Sequence, residues 1–298
     1  MADNTTRQQI VVGVDGSASA LQAARWAGDE AAHRHLPVRV VHADAMPALS
    51  YGAGVRPPDG FSEVLETQGR QWLADAEAAI RSVHPGLEIH TDLTTGSPVT
   101  ELLEASADAR LVVLGSRGLG GFSGMLTGST VVAMVARGRC PVVVVRGGGR
   151  ENGPVVVGVD GSPANEPAVA AAFEEASSRG ADLVAVHSWL SVSAGTAHTL
   201  GQQLLSDFDG LEANERELLA ERLAGWQEKY PDVAVRRVVA RDHPVRCLLD
   251  HSADAQLLVI GSRGRGGFSG MLTGSTSQAL IHHATCPLLV VQSPHAVS

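Results

Sequence analysis

The chain has 298 residues, of which 44% are hydrophobic, 18% charged and 4% aromatic, and its formal net charge is -9. That is the composition of globular protein, with length for two ordinary domains, and it excludes the disordered and fibrous classes. The acidic balance argues against a general nucleic-acid binder, which needs a basic face, and no apolar run approaches the ~20 residues of a membrane helix.

The segment Met1 to Gln9 is polar and lacks the apolar core of a signal peptide, so a cytoplasmic protein is expected. Ile10–Val14 is a near-continuous apolar run, as a strand buried on both faces requires. Ser17 can cap a helix running to about His35. Val38–His42 is the next strand, and Arg56 to Gly60 is a Pro/Gly-rich loop. Over 61–83 the residues Val64, Leu65, Trp72, Leu73, Ala76 and Ile80 fall on one side of a helix. Leu87–Leu93 alternates apolar and polar like a strand near a sheet edge, and Pro98 opens a short helix to Ala107. Leu111–Leu114 is a strand followed by a glycine-rich loop, a helix over about 129–136 and a last strand, Val142–Val145. Strands alternating with helices predict a doubly wound, parallel, five-stranded α/β domain.

The same order then returns. Val12-Gly13-Val14-Asp15-Gly16-Ser17 reappears as Val157-Gly158-Val159-Asp160-Gly161-Ser162. The stretch 115–130 reappears as 261–276 with one change, Leu119 to Arg265. A period this long means duplicated domains and not a solenoid. Two tandem domains are expected, 1–147 and 153–298, joined by a glycine-rich linker of flexible composition.

Three cysteines with no CxxC spacing make neither a disulfide framework nor a zinc site, so Cys140, Cys247 and Cys286 are expected as small core residues. Lys229 is the single lysine, and no Gly-Lys pair is available for a P-loop. His42 and His187 match after the second strand of each half, where a structural or stacking role is expected. His33, His35, His282 and His283 lack a carboxylate at ligand spacing and are assigned no metal.

Two loops in each half leave the carboxyl ends of predicted strands, where open α/β sheets hold ligands. Asp15 and Asp160 stand directly after the first strand of each half. A carboxylate there can accept ribose hydroxyls or hold a hydrated Mg²⁺, or it can simply shape the turn. Gly115-Ser116-Arg117-Gly118 and Gly128-Ser129 frame the second loop, with Gly121 inside it; the other half has Gly261, Arg263, Gly264, Gly267, Gly274 and Ser275. Glycines allow close backbone approach and positive φ, and successive N–H groups make a nest for phosphate oxygens. Ser129-Thr130 and Ser275-Thr276 then open helices whose free N–H groups favour an anion. Arg117 and Arg263 can supply the positive charge that a P-loop takes from lysine. Alanine at Gly118 or Gly264 should cripple that loop's own site.

These residues resemble the signature of tandem universal stress proteins of the ATP-binding subclass, G-x2-G-x9-G-[ST], met here by Gly115, Gly118, Gly128 and Ser129 and again by Gly261, Gly264, Gly274 and Ser275. The resemblance covers nearly the whole chain, and tandem forms like it are frequent in mycobacteria and their relatives. It implies the universal stress protein fold, one ATP per domain with Mg²⁺, acidic contacts from Asp15 and Asp160, and adenine against backbone groups near Val41 and Val186. Gly13 and Gly158, which precede the acidic loops, are counted with the binding residues. The family also implies a stress-response switch acting on an unidentified protein partner. Members dimerise through their last strands, which here implies an intrachain pseudo-dimer through Val142–Val145 and Leu288–Val291, with a homodimer of chains as an extension. The sequence departs from the family pattern where Asp242-His243-Pro244 replaces Gly96-Ser97-Pro98, and where Pro47–Phe61 has no match in Ser191–Leu211. No catalytic triad or paired-carboxylate motif stands out, so an enzyme is not expected; a slow ATPase or nucleotidyl transferase and a ligand-free interaction module are the rival readings.

Overall fold

A computed structural model describes residues 9–44, 60–118, 127–150, 152–189, 208–264 and 273–293 of the chain. The chain divides into two compact units, Met1–Arg146 and Gly147–Ser298. In the first, β1 (Gln9–Gly13), α1 (Ala18–Arg34), β2 (Val38–Asp44), α2 (Phe61–Arg81), β3 (Ile89–Thr95), α3 (Pro98–Ala105), β4 (Ala109–Gly115), α4 (Ser129–Arg137) and β5 (Val142–Val145) follow one another. In the second, β6 (Val155–Gly158), a 3-10 turn (Pro163–Asn165), α5 (Glu166–Arg179), β7 (Leu183–Ser188), α6 (Phe208–Lys229), β8 (Val235–Ala240), α7 (Pro244–Ser252), β9 (Leu257–Gly261), α8 (Ser275–His283) and β10 (Leu288–Val291) repeat that order.

The strand order in the first unit is β3-β2-β1-β4-β5, every pair parallel. The second unit has β8-β7-β6-β9-β10, again all parallel. Order reverses between β1 and β4 and between β6 and β9, which makes the crevice at the carboxyl ends of those strands the switch point of each sheet. Ile10, Val11 and Val12 are wholly buried because helices cover both faces of a parallel sheet. Helix α1 meets the sheet through alanines, Ala20, Ala23, Ala24, Ala27 and Ala31, whose small side chains bring the helix close to β1 and β4. Ser17 caps this helix, its Oγ accepting the Ala20 N–H at 3.1 Å. In the second unit Phe173, Trp226 and Tyr230 stack at centroid distances of 5.9 to 6.4 Å and fill the corresponding space between α5 and α6.

Two local expectations shift. The third strand begins at Ile89 and not Leu87, because the Leu87 N–H is taken by the His84 carbonyl at 3.1 Å in the turn that ends α2. The glycine-rich connection is more fixed than its composition suggests. Arg150 donates its N–H to Ala255 O at 3.1 Å and its guanidinium to Asp254 at 2.8 Å, both in the second unit. A Cβ on Gly153 would lie 2.2 Å from Asp254 O, so this glycine serves a close backbone approach.

All three cysteines are buried and none forms a disulfide. Burial pushes the Cys286 thiol up from its ordinary 9.0 to about 12, and raises Cys247 with help from Asp242 and Asp250. Thiolate is the reactive form, so the native protein should leave all three thiols unlabelled by a thiol reagent at neutral pH and react only on unfolding. Because the folded pKa of Cys286 lies above the unfolded one, its contribution to stability is complete below pH 9.0 and is lost as pH rises toward 12. Labelling of native protein at a rate equal to that of the urea-unfolded chain would contradict the assignment.

Candidate nucleotide site

In each unit an aspartate stands on a tight loop two residues beyond the first strand. Asp15 Oδ1 accepts the Ser17 N–H at 3.1 Å, and Asp160 Oδ1 accepts the Ser162 N–H at 2.7 Å. The intervening Gly16 and Gly161 have φ of 82° and 77°, a left-handed turn that favours glycine. In the first unit Gly16 also lies under Trp72, whose indole nitrogen would sit 2.2 Å from a Cβ.

Each loop is braced by a buried histidine. His42 Nδ1 donates to Val14 O at 2.8 Å, and its Nε2 meets Asp44 Oδ1 at 3.1 Å. His187 Nδ1 donates to Val159 O at 2.6 Å, and its Nε2 meets Glu215 Oε2 at 2.7 Å. Val14 and Val159 immediately precede the two aspartates, so the imidazoles fix the backbone from which the carboxylates project. The carboxylate partner comes from the strand in one unit and from the helix in the other. Gly69, at the place matching Glu215, has no room for a side chain: a Cβ would lie 2.7 Å from Leu93 and 2.8 Å from His42. The histidines are therefore positioning residues, with His42 set edge-on to Trp72 at a centroid distance of 5.0 Å.

The glycine loop starts beside this aspartate. A Cβ on Gly118 would lie 2.4 Å from Asp15 Oδ2, and one on Gly264 3.2 Å from Asp160 Oδ2. The loop closes on itself where Gly128 donates its N–H to Ser116 O at 3.2 Å and Gly274 to Ser262 O at 2.9 Å. Ser129 and Thr130 begin α4, Ser275 and Thr276 begin α8, and neither helix start has a side-chain cap. Gly121 and Gly267 lie outside the described residues.

The loop glycines separate into three kinds. Gly115 is required by packing, since a Cβ would come within 2.3 Å of Ser19 Oγ and 2.6 Å of the Ser19 backbone carbon. Gly13 likewise backs onto Leu114 and Leu102, and Gly158 onto Leu248 and Ile260. Gly118 and Gly264 lie against the adjacent carboxylate, the end of a side chain that can move. Gly128 has nothing within 4 Å of a would-be Cβ, and Gly274 has only contacts of 3.6 Å and beyond. None of these described loop glycines has a left-handed φ, and crowding by neighbouring atoms accounts for Gly13, Gly115 and Gly158.

Val41 and Val186 are buried on β2 and β7, and their carbonyls accept the Val14 and Val159 N–H groups at 2.9 Å. Arg117 is tied into the first site through its backbone: Ser17 Oγ donates to Arg117 O at 3.2 Å and Arg117 N donates to Ser19 Oγ at 3.2 Å. The second unit has Ala164 where Ser19 stands. Asn165 holds that loop instead, receiving the Asp160 N–H at 3.3 Å and donating to Gly158 O at 3.2 Å. Two further residues, Arg146 and Gln292, stand directly after β5 and β10 at the carboxyl edge of each sheet. Pairing the halves at a constant offset beyond the last strand would have drawn attention to them. The Arg146 guanidinium is held below its ordinary pKa, first by burial and then by the positive charge of Arg117. Among the described residues no group of three His, Cys, Asp or Glu side chains could hold a metal directly, and no helix is long and apolar enough to cross a membrane.

The comparisons with known proteins agree with this architecture. A universal stress protein of Mycobacterium tuberculosis (strain H37Rv) is 42% identical over 295 residues, covering 95% of this chain and 96% of the relative. One from Mycolicibacterium smegmatis is 41% identical over 303 residues, covering 98% and 99%. The crystal structure of a universal stress protein from Archaeoglobus fulgidus matches with a TM-score of 0.65 at 20% identity, covering 98% of this chain and 99% of the other, and shares the fold. The profile of the Universal stress protein family matches residues 6–146 and again 151–292. With two such domains in tandem, the chain belongs to the universal stress protein family.

Proposed function

We propose that each domain binds ATP and that the chain works as a nucleotide-dependent switch in the response to stress, with Mg²⁺ held through water by Asp15 and Asp160. The observation that carries this reading is the pairing, at the switch point of each sheet, of an anchored aspartate with a glycine loop whose last glycine faces open space. Gly128 and Gly274 are dictated neither by φ nor by neighbouring atoms among the described residues. Close approach of a phosphate to the uncapped start of α4 and α8 accounts for them. Arg117, Gly118, Ser129 and Thr130 would surround that phosphate in the first domain, and Arg263, Gly264, Ser275 and Thr276 in the second. Val41 and Val186 would face the base, and Gly13, Gly115, Gly158 and Gly261 would let the surrounding elements pack closely enough to form the crevice. Gly121 and Gly267 belong to the same loops.

The output of the switch is a change read by a protein partner in the cytoplasm, and not turnover of nucleotide. The tether at 147–153 favours pairing of the last strands, β5 and β10, into an intrachain pseudo-dimer, because apolar edge strands invite pairing and tethering raises their effective concentration. The same mode could join two chains as a homodimer.

Mg-ATP is expected to stabilise the protein. A ligand that binds only the native state contributes about 2.7 kcal/mol per site at about 100 times its Kd. Calorimetric scans with and without millimolar Mg-ATP read this directly. An unchanged melting temperature, with GTP and ADP equally silent, would overturn the nucleotide reading.

A further inference from the structure

The two sites are copies in sequence but not in charge. After β5 the first domain has Arg146, with its Nε buried, and Arg117 opens the glycine loop. Both residues stand just beyond the carboxyl ends of neighbouring strands, β4 and β5, and the positive charge of Arg117 adds to burial in lowering the Arg146 pKa. At the matched place after β10 the second domain has Gln292, which leaves Arg263 as the cation of its loop.

The second domain also holds an uncommon set of unsatisfied groups. Among the described residues, Asp160 Oδ2, Ser162 Oγ, Trp189 Nε1 and Gln292 Nε2 are buried with no hydrogen-bond partner. Every one belongs to a residue just beyond the carboxyl end of β6, β7 or β10. Orphaned buried polar groups are rare and costly, and a cluster of them at the ligand edge of a sheet points to a ligand that satisfies them. The set mixes a carboxylate oxygen with a hydroxyl, an indole N–H and an amide. Such groups suit hydroxyls and ring nitrogens better than a run of phosphates, because a bare carboxylate oxygen repels phosphate. In the first domain two of the matching groups are engaged: Ser17 Oγ donates to Arg117 O, and Asp44, which stands where the second domain has Trp189, is bound to His42.

We propose that the two domains differ in phosphate preference, the first favouring ATP over a nucleoside monophosphate more strongly than the second, with Arg146 and Gln292 as the residues that set the difference. This rests on the nucleotide reading above.

The test uses the full chain with one site blocked at a time. Gly274→Asp leaves the first site open and Gly128→Asp the second. Both positions have room for a side chain, and aspartate is a favoured residue at a helix start. Titration calorimetry with Mg-ATP and with AMP then gives an ATP-to-AMP affinity ratio for each site. The ratio should be greater at the first site by about tenfold or more, the worth of one charge-assisted hydrogen bond. Affinity for ATP there should also fall more steeply with salt. Arg146→Gln in the Gly274→Asp background should lower the ratio, and Gln292→Arg in the Gly128→Asp background should raise it. Equal ratios and equal salt slopes at the two sites would overturn the inference, as would exchanges that leave both ratios unchanged. If Arg146→Gln does not fold, the salt slopes of the two blocked chains decide alone. Absence of binding by the unblocked chain to either nucleotide is a different result and sinks the nucleotide reading itself.

Discussion

His42→Leu is expected to destabilise the first domain by about 1–3 kcal/mol, the usual cost of leaving a buried acceptor without its hydrogen-bond donor. The leucine leaves Asp44 with a side chain only 12% exposed and without the imidazole that meets it at 3.1 Å. It also leaves Val14 O without its side-chain donor, directly before Asp15. His187→Leu should cost less than His42→Leu, because its partner Glu215 is 24% exposed and can reach water. Urea unfolding of the two variants checks both the size and the order. A loss below about 1 kcal/mol for His42→Leu would mean that the histidine is an ordinary core residue. Nucleotide affinity should fall with the brace even where the domain stays folded, since the aspartate is carried on the backbone that the imidazole holds.

Gly115→Ala and Gly118→Ala are expected to separate fold from binding. Alanine at 115 drives its Cβ to 2.3–2.7 Å from Ser19, including the backbone carbon and oxygen, so α1 itself must move. Overpacking of this kind costs about 1–3 kcal/mol, and a collision with backbone belongs at the upper end. Alanine at 118 meets only Asp15 Oδ2, at 2.4 Å, and a carboxylate can rotate away. Stability should hold while nucleotide affinity collapses, because the displaced group is the one proposed to hold Mg²⁺ or ribose. Gly264→Ala meets Asp160 at 3.2 Å and should be the milder of the two site variants. The measurements are melting temperature and nucleotide affinity on each variant. Loss of stability without loss of affinity in Gly118→Ala would reverse the assignment.

Much of this was legible before any coordinates. The near-continuous apolar runs of β1 and β4 announce a buried parallel sheet, and the duplicated glycine loop announces both the repeat and the ligand edge. What the sequence hides is mostly compensation across space. The exchange of Asp44 for Glu215 as the histidine's partner cannot be read from either residue, because one lies on a strand and the other on a helix. The role of Ser19 is equally hidden: it clamps Arg117 from a helix nearly a hundred positions earlier, and its replacement by Ala164 is answered by Asn165 one place further on. The sequence also offers two uses for the loop glycines, close approach and positive φ, and does not choose between them; the described ones have no left-handed φ. The linker misled for the same reason: its glycines look flexible in composition, yet Gly147 and Gly149 adopt φ of 67° and 60° and the segment is hydrogen-bonded to its own domain.

The most direct test of the central claim is to identify what the protein carries. Freshly purified chain, weighed intact by native mass spectrometry and then denatured, should release an adenine nucleotide or take up Mg-ATP to a total of two ligands per chain. One should be lost in Gly128→Asp and the other in Gly274→Asp. A chain that releases no nucleotide, and gains no mass from millimolar Mg-ATP or AMP while remaining folded, would contradict the account.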